Sequence, residues 1–307
     1  MARPLELIVT TEYEHCRLST FLRRTLGAGT ALLQTLKKDE TAVLLNGFPS
    51  FLNVFVRTGD VVSVRMPETF AECGREATVA PIDLGIGFCY EDDDYVVMAK
   101  PAGMPVHPSR AHVYDTLAND FCFRRPDMVF RPLTRLDYDT SGLVLVAKNK
   151  LAATVDRTDL TRIYYGITDR VVCQNGGVCD APIAREVEGE PKRCVRADGK
   201  PAVTHWRVVA RKGALTLLRF RLETGRTHQI RVHCAFMGFP LCGDTLYGGS
   251  GAIERQALHA TYLAFSNRVS GKRTTVKAPL PTDLRRLWED FSAGEENASC
   301  QSTEHTV

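Results

Sequence analysis

The chain contains no run of apolar residues long enough to cross a membrane as a helix, which takes about 18 residues. Its first residues, MARPLELIVTTEYEHC, also lack the continuous apolar core of a secretory signal peptide. We therefore expect a cytoplasmic protein that does not use a membrane as its partner.

Closely spaced cysteine pairs are also missing. The chain has 10 cysteines, but no two of them have the Cys-x-x-Cys spacing of a zinc site or a redox motif. Scattered cysteines in a cytoplasmic chain commonly serve as small buried apolar residues. The spacing thus predicts no metal site and no disulfide framework.

The balance of charge is only mildly basic. Lys and Arg number 39 against 36 Asp and Glu, which gives a formal net charge of +3. Such a balance allows a nucleic-acid partner without requiring one, because a local basic patch matters more than the sum. A length of 307 residues with 44% hydrophobic residues suits two soluble domains.

The most informative stretch is RLDYDTSGLVLVAK, residues 135–148. Its apolar second half, 143–147, predicts a strand that is buried on both faces. Arg135, Asp137 and Asp139 precede that strand. Charged groups at the end of a buried strand are costly to desolvate, and loops on rigid scaffolds often carry chemistry. We therefore place a candidate site in this loop.

Three interpretations of the loop are open at this point. Residues 139–142, DTSG, could form a polar turn with no chemical role. They could belong to an aspartic protease, which needs a second carboxylate loop. The only similar string, residues 243–246, lacks the Gly that follows in such a loop. Alternatively, Asp137 is the reactive group and the TSG supports it.

A second motif is ETGRTHQIRVH, residues 223–233, which follows a predicted strand at 215–222. Thr227 predicts the cap of a helix that ends before Gly238. His228 and His233 are five residues apart, which is not the spacing of a helical zinc site. Arg231 lies on a helix face where it could meet an acid from another element.

Four segments together resemble the RluA-type pseudouridine synthases. RLDYDTSGLVLVAKN resembles the active-site motif of that family, and KPAGMPVHP, RIYYGI and TGRTHQIRVH resemble other motifs in the expected order. The resemblance implies that Asp137 is catalytic, that Arg231 pairs with Asp137, and that Tyr164 stacks on the target base. One departure is Thr134, which cannot titrate and stands where the family has His. The expected substrate-binding residues are Arg135, Arg226, His228 and Gln229.

Residues 1–66 have their own resemblance. The strings RLSTFLRRTL and LLQTLKKDETAVLLNGFPS suggest two short helices and a small β unit. They resemble the small RNA-binding domain first known from ribosomal protein S-four. We call residues 1–66 the N-terminal module. Its expected RNA-binding residues are Arg17, Arg23, Arg24, Lys37 and Lys38.

The resemblances imply an α+β catalytic domain at 83–293, with a largely antiparallel, twisted sheet, joined to the small α/β module by a linker at 67–82. Residues 294–307 are expected to be a disordered tail. The implied enzyme is a monomeric isomerase that converts uridine in structured RNA to pseudouridine without a cofactor. Ribosomal RNA is the first candidate substrate and transfer RNA the second.

Two alternatives remain for the function. In the first, the second domain is a catalytically inactive homologue and the protein only binds RNA. In the second, the enzyme hydrolyses a glycosidic bond with two carboxylates.

Overall fold

The computed structural model describes residues 4–26, 33–34, 36–65, 79–154, 159–267 and 270–289. Most of the expected linker and all of the expected tail lie outside these residues. The helices are α1 (Leu18–Leu26), α2 (Leu117–Arg124), α3 (Gln229–Phe236) and α4 (282–289). Within the described residues, no helix combines the length and the apolar character needed to span a membrane.

The strands are numbered in chain order. They are β1 (Leu5–Ile8), β2 (Val43–Leu45), β3 (Phe48–Pro49), β4 (Val61–Val64), β5 (Tyr90–Glu91), β6 (Tyr95–Lys100), β7 (Arg131–Pro132), β8 (Ser141–Ala147), β9 (Thr161–Thr168), β10 (Gly176–Asp180), β11 (Ile183–Arg185), β12 (Arg193–Val195), β13 (Val203–Lys212), β14 (Leu215–Leu222), β15 (Leu258–Ser266) and β16 (Arg273–Lys277).

The N-terminal module contains a four-stranded sheet in the order β1-β4-β2-β3, covered by α1. The apolar residues of α1 recur at helical spacing and form one buried stripe, as the sequence predicts. Asn46 and Gly47 form the predicted turn, with φ of 53° and 84°. Of the second predicted helix, residues 33–34 and 36 are described, and all three are helical.

The module is in contact with the segment that follows β8. Leu151 is buried in the same apolar cluster as α1. Thr154 donates a hydrogen bond from Oγ1 to the carbonyl of Leu26, at 2.7 Å. The module therefore packs against the larger sheet through residues next to the β8 strand.

The larger sheet has ten strands. Eight follow the order β10-β13-β14-β9-β15-β8-β6-β5, and β16 and β7 pair with β15 and β8. Of its described pairings, only β8 with β15 is parallel. This arrangement confirms the expected α+β class with a largely antiparallel sheet. The remaining two strands, β11 and β12, form a small antiparallel pair.

Strand β8 lies at the centre of the packing. All seven of its residues are buried, as the apolar run predicts. Val144 and Val146 pack with α2 on one face of the sheet. Leu143 and Leu145 pack with Tyr95 on the other face. The loop that precedes β8 is therefore anchored to a rigid strand.

Gly142 marks the point where β8 meets β15. Its φ is +120°, and a Cβ atom there would lie 2.3 Å from the carbonyl oxygen of Ala260. No larger residue could occupy this position without moving the backbone of β15. The glycine of the TSG string thus permits the close parallel pairing directly behind the candidate site.

Helix α3 begins later than the sequence predicts. His228, with φ of 57°, occupies the residue before Gln229, so Thr227 is not the cap. The left-handed backbone at His228 turns the chain sharply into the helix.

Candidate active site

A cleft of about 820 Å³ lies between the loop that precedes β8 and the loop that precedes α3. It draws residues from both of the principal sequence motifs and from β9. Every residue that the sequence nominates for catalysis or substrate binding lines this cleft: Arg135, Asp137, Tyr164, Arg226, His228, Gln229 and Arg231. The fold therefore brings together residues that are up to 96 positions apart in sequence.

Asp137 lies in the loop that precedes β8, and 24% of its side chain is exposed. Its nearest cation is Arg231, whose Nη1 lies 3.6 Å from Asp137 Oδ2. This separation is an ion pair rather than a hydrogen bond. Asp139, by contrast, does not line the cleft. A mechanism with both carboxylates on one substrate is therefore disfavoured by the geometry.

The principal partner of Arg231 is Asp244. Arg231 donates from Nε and Nη2 to the two carboxylate oxygens of Asp244, each at 2.8 Å. Only 1% of the Asp244 side chain is exposed. The expectation that Arg231 has Asp137 as its partner was therefore incomplete. Asp244 binds Arg231 more closely than Asp137 does. Arg231 can pair with both carboxylates at once because a planar guanidinium presents N–H donors at different edges.

The ion pair with Asp244 determines the charge of Arg231. Burial alone would lower the pKa of Arg231, but the hydrogen bonds and charge of Asp244, with the charge of Asp137, raise that pKa above its ordinary value. Arg231 is thus a permanent cation within the cleft. Its Nη1 is the nitrogen that faces Asp137, because the other two nitrogens are bonded to Asp244.

The ring of Tyr247 packs against the guanidinium of Arg231. Its ring centroid lies 5.0 Å from the guanidinium carbon of Arg231. Its hydroxyl accepts a hydrogen bond from the backbone N–H of Arg193, at 2.9 Å, and lies 2.8 Å from Nδ1 of His228. Burial raises the pKa of Tyr247 to about 12, so the hydroxyl retains its proton at neutral pH.

In the neutral tautomer that carries its proton on Nε2, His228 accepts a hydrogen bond from this hydroxyl at Nδ1. Burial lowers the pKa of His228 below its ordinary value, although the charge of Asp137 opposes the effect. With this left-handed backbone at His228, its ring lies in the cleft within 2.8 Å of the Tyr247 hydroxyl. No sequence pattern connects His228 with Tyr247, which lies 19 residues away.

Tyr164 lies on β9 directly opposite Phe220 of β14. Its side chain is buried against the same apolar cluster as Phe220 and Leu258, yet it also lines the cleft. Burial raises the pKa of Tyr164, so its ring is neutral. A flat aromatic surface bordering the cleft near Asp137 suits stacking on a planar base.

The remaining nominated residues differ in what they can contact. Arg135 and Arg226 are exposed, and Arg226 donates from Nε to the carbonyl of Pro201, at 2.9 Å. Gln229 is only 3% exposed. Its amide nitrogen donates to Val203 and Thr204, and its oxygen accepts from Thr224 and Arg226.

These bonds occupy the two donors and both acceptor positions of the Gln229 side chain. The expectation that Gln229 binds substrate stays a prediction. Within the protein, the Gln229 side chain holds the loop on which Arg226 and His228 lie. Its sequence position next to His228 could not distinguish the two roles, because only the buried neighbours decide which atoms remain free.

The described residues contain no group of three or more His, Cys, Asp or Glu side chains placed to hold a metal ion. Asp244, the acid of the string that suggested a protease partner, is committed to Arg231. Thr134 is buried and its Oγ1 accepts from the backbone N–H of Leu145, at 2.9 Å. Thr134 therefore ties the loop that precedes β8 to the β8 strand itself.

Known proteins resemble this chain in sequence. A family model described as RNA pseudouridylate synthase matches residues 94–236. The uncharacterized RNA pseudouridine synthase YlyB of Bacillus subtilis is 38% identical over 304 residues, covering 94% of this chain and 98% of the relative. The ribosomal large subunit pseudouridine synthase D of Xanthomonas campestris is 38% identical over 287 residues, covering 80% and 86%.

Solved structures share the fold. The human RNA pseudouridylate synthase domain containing 1 superposes with a TM-score of 0.54 at 24% identity, covering 72% of this chain and 98% of that structure. This likeness shows a shared fold.

Proposed function

The chain belongs to the RNA pseudouridylate synthases, and we propose that it isomerises specific uridines of ribosomal RNA, with Asp137 as the reactive carboxylate. The observation that carries this proposal is the position of Asp137 in the cleft, beside a guanidinium that a second, buried carboxylate holds in place. Such a pairing places a fixed positive charge beside the carboxylate and limits its orientation.

Ribosomal RNA is the favoured substrate because several relatives, including the synthase D of Xanthomonas campestris, are named for the large ribosomal subunit. Transfer RNA is the second candidate. A uridine stacked in a helix cannot reach a side chain in a cleft, so the base must be flipped out at a cost of a few kcal/mol. An unpaired or loop uridine in structured RNA would lower that cost.

The reaction breaks the bond between N1 of uracil and the anomeric carbon of the ribose. The base then rotates, and its carbon 5 is joined to the same ribose carbon. The proton of carbon 5 is lost and N1 gains a proton, so the isomerisation consumes no other reagent. Asp137 either attacks the anomeric carbon or removes the 2′ proton of the ribose. We propose that a cofactor is not required.

The neighbouring residues support these steps. Arg231 stabilises the negative charge of Asp137 and limits the orientations available to that carboxylate. Tyr164 offers a neutral ring on which the flipped base can stack. Arg135, exposed at the cleft, is placed to contact a phosphate or to fill the space that the flipped base leaves. His228 and Tyr247 enclose the arginine on the other side.

The N-terminal module supplies a second contact with RNA in this proposal. Its five nominated basic residues are all exposed: Arg17, Arg23, Arg24, Lys37 and Lys38. Arg17 also lies over the ring of Phe55, with 5.9 Å between the guanidinium carbon and the ring centroid. Exposed guanidinium and ammonium groups on one small module suit phosphate binding.

The experiment that tests the proposal compares pseudouridine maps of ribosomal and transfer RNA from cells with and without the gene. Loss of one or a few ribosomal positions, restored by the wild-type gene but not by the Asp137→Asn variant, is expected. Unchanged maps in both RNA classes would favour an inactive RNA-binding protein. Release of free uracil from RNA by the purified enzyme would instead indicate a hydrolase.

A further inference from the structure

Arg255 is a buried arginine that lies outside the cleft. It donates hydrogen bonds to the loop that carries Asp137. Only 8% of Arg255 is exposed. Its Nη1 donates to the carbonyl of Asp139, at 3.1 Å, and its Nη2 to Oγ of Ser141, at 3.3 Å. Arg255 is not among the residues that line the cleft.

Asp283, at the start of α4, holds Arg255 in place. Arg255 donates from Nε and Nη2 to the two carboxylate oxygens of Asp283, at 2.6 and 3.1 Å. Nη1 also donates to the carbonyls of Gln256 and Leu258. The Arg255 guanidinium is therefore held by Asp283 and by two backbone carbonyls. Because its five donors form a rigid planar fork, the positions of the loop acceptors that it binds are restricted as well.

Other buried groups bind the same short loop. Lys100 donates from Nζ to the carbonyl of Tyr138, at 2.8 Å. Gln256 donates from Nε2 to Oγ1 of Thr140, at 3.1 Å, and His259 Nδ1 lies 2.9 Å from Oγ of Ser141. Each residue from 138 to 141 is thus bonded to a group outside the loop.

The backbone at Arg255 also contacts the turn that carries Asp244, the second carboxylate of the site. Gly243 approaches the backbone of Arg255 so closely that a Cβ atom there would lie 1.9 Å from the Arg255 carbonyl oxygen. The next residue after Gly243 is Asp244, the partner of Arg231. One short segment therefore contacts both the loop of Asp137 and the turn of Asp244.

We propose that Arg255, held by Asp283, is a positioning residue that sets the distance between Asp137 and Arg231. The inference rests on the proposed function, because it assigns Arg255 a role in the step that Asp137 performs. Removing the guanidinium would free the carbonyl of Asp139 and the hydroxyl of Ser141 to shift. A misplacement of about 1 Å at a reacting group can cost about 100-fold in rate.

The test measures single-turnover pseudouridine formation and RNA affinity for Arg255→Met, Arg255→Lys and Asp283→Asn. We expect the rate of Arg255→Met to fall about 10- to 100-fold while its RNA dissociation constant changes less than about twofold. Arg255→Lys should recover part of the rate, because an ammonium can still reach one of the loop acceptors. Asp283→Asn should fall between the wild type and Arg255→Met.

Arg273→Met provides the matched control. Arg273 forms an ion pair with Asp159 at 2.7 Å on the same sheet but makes no contact with the loop of Asp137. Its rate should stay within about twofold of the wild type. Rates are normalised to the folded fraction, measured by circular dichroism and RNA binding, so that loss of folded protein is not counted as loss of catalysis.

The proposal is overturned if folded Arg255→Met, or folded Asp283→Asn where Arg255→Met does not fold, keeps the wild-type rate. It is equally overturned if the loss appears only in RNA affinity. A wild-type enzyme that forms no pseudouridine contradicts the proposed function itself. An active wild type with an equally active Arg255→Met contradicts this inference alone.

Discussion

Arg231 and Asp244 form a bidentate ion pair, with both hydrogen bonds at 2.8 Å and 1% of the Asp244 side chain exposed. This pair leaves one nitrogen of Arg231 directed at Asp137, 3.6 Å away. The proposed reactive carboxylate thus has its counter-charge placed by another acid, which lies 107 residues further along the chain.

The first prediction concerns the proposed reactive group. Asp137→Asn is nearly isosteric and removes only the charge, so pseudouridine formation should fall below a few per cent of the wild-type single-turnover rate. RNA affinity and the free energy of unfolding should change little. Asp139→Asn is the matched control, because Asp139 does not line the cleft. Substantial activity in the Asp137 variant, or equal losses in both, would exclude the assignment.

A second prediction concerns the buried pair. Asp244→Asn should lower the free energy of unfolding by about 3 kcal/mol, because breaking a buried pair leaves an uncompensated charge. It should also reduce activity, since Arg231 would no longer be held in one orientation. The measurement is denaturant unfolding alongside single-turnover kinetics.

Asp198→Asn is the control for that experiment. It breaks the exposed pair with Arg196, and its effect on the free energy of unfolding should be far smaller than that of Asp244→Asn. Equal destabilisation by the two substitutions would show that burial of Asp244 does not strengthen the pair.

A third prediction uses the pKa of His259. Burial, with the charge of Arg255, lowers that pKa from 6.5 to about 4. The unfolded chain therefore binds more protons than the folded chain between about pH 4 and 6.5. Neutral His259 therefore makes its full contribution to the free energy of unfolding above pH 6.5. This contribution is lost as the pH falls to about 4, and the loss reaches about 3 kcal/mol.

The measurement is the free energy of unfolding of the wild type and of His259→Asn across this pH range. Subtracting the two curves removes the titration of the other histidines. A wild-type curve that falls more steeply with acid than the variant's is expected. Parallel curves would mean that His259 titrates alike in the folded and unfolded chains.

The fourth prediction concerns RNA binding by the N-terminal module. Replacing Arg23, Arg24 and Lys38 together with Gln should weaken the binding of specific and unrelated RNAs to a similar degree. Each phosphate contact that is lost should flatten the dependence of log affinity on log salt by up to ~0.7 to 0.9. Turnover at saturating RNA should change little, because these residues do not line the described cleft.

A second triple variant controls for net charge. Lys272, Lys277 and Arg286 are exposed on or near β16 and α4, and their replacement with Gln removes the same charge from a different surface. RNA affinity and salt dependence should then stay close to the wild type. Equal effects of the two triple variants would indicate that only the total charge matters.

The sequence by itself determined the elements whose signals are local. The apolar run at 143–147 predicted a buried strand, and the helical spacing of Leu18, Phe21 and Leu22 predicted the buried stripe of α1. These signals survive because burial on both faces, or on one helix face, leaves a periodic pattern in neighbouring residues. Resemblance between motifs then nominated Asp137, Tyr164 and Arg231, which the fold brings to one cleft.

Only the tertiary structure decided which groups those residues contact. The pairing of Arg231 with Asp244, the bond of His228 to Tyr247 and the support of the β8 loop by Arg255 join segments with no shared periodicity. The same holds for Gln229, whose side chain bonds to Val203 and Thr224. A side chain's free hydrogen-bonding capacity depends on neighbours that are distant in sequence, so no local pattern could specify it.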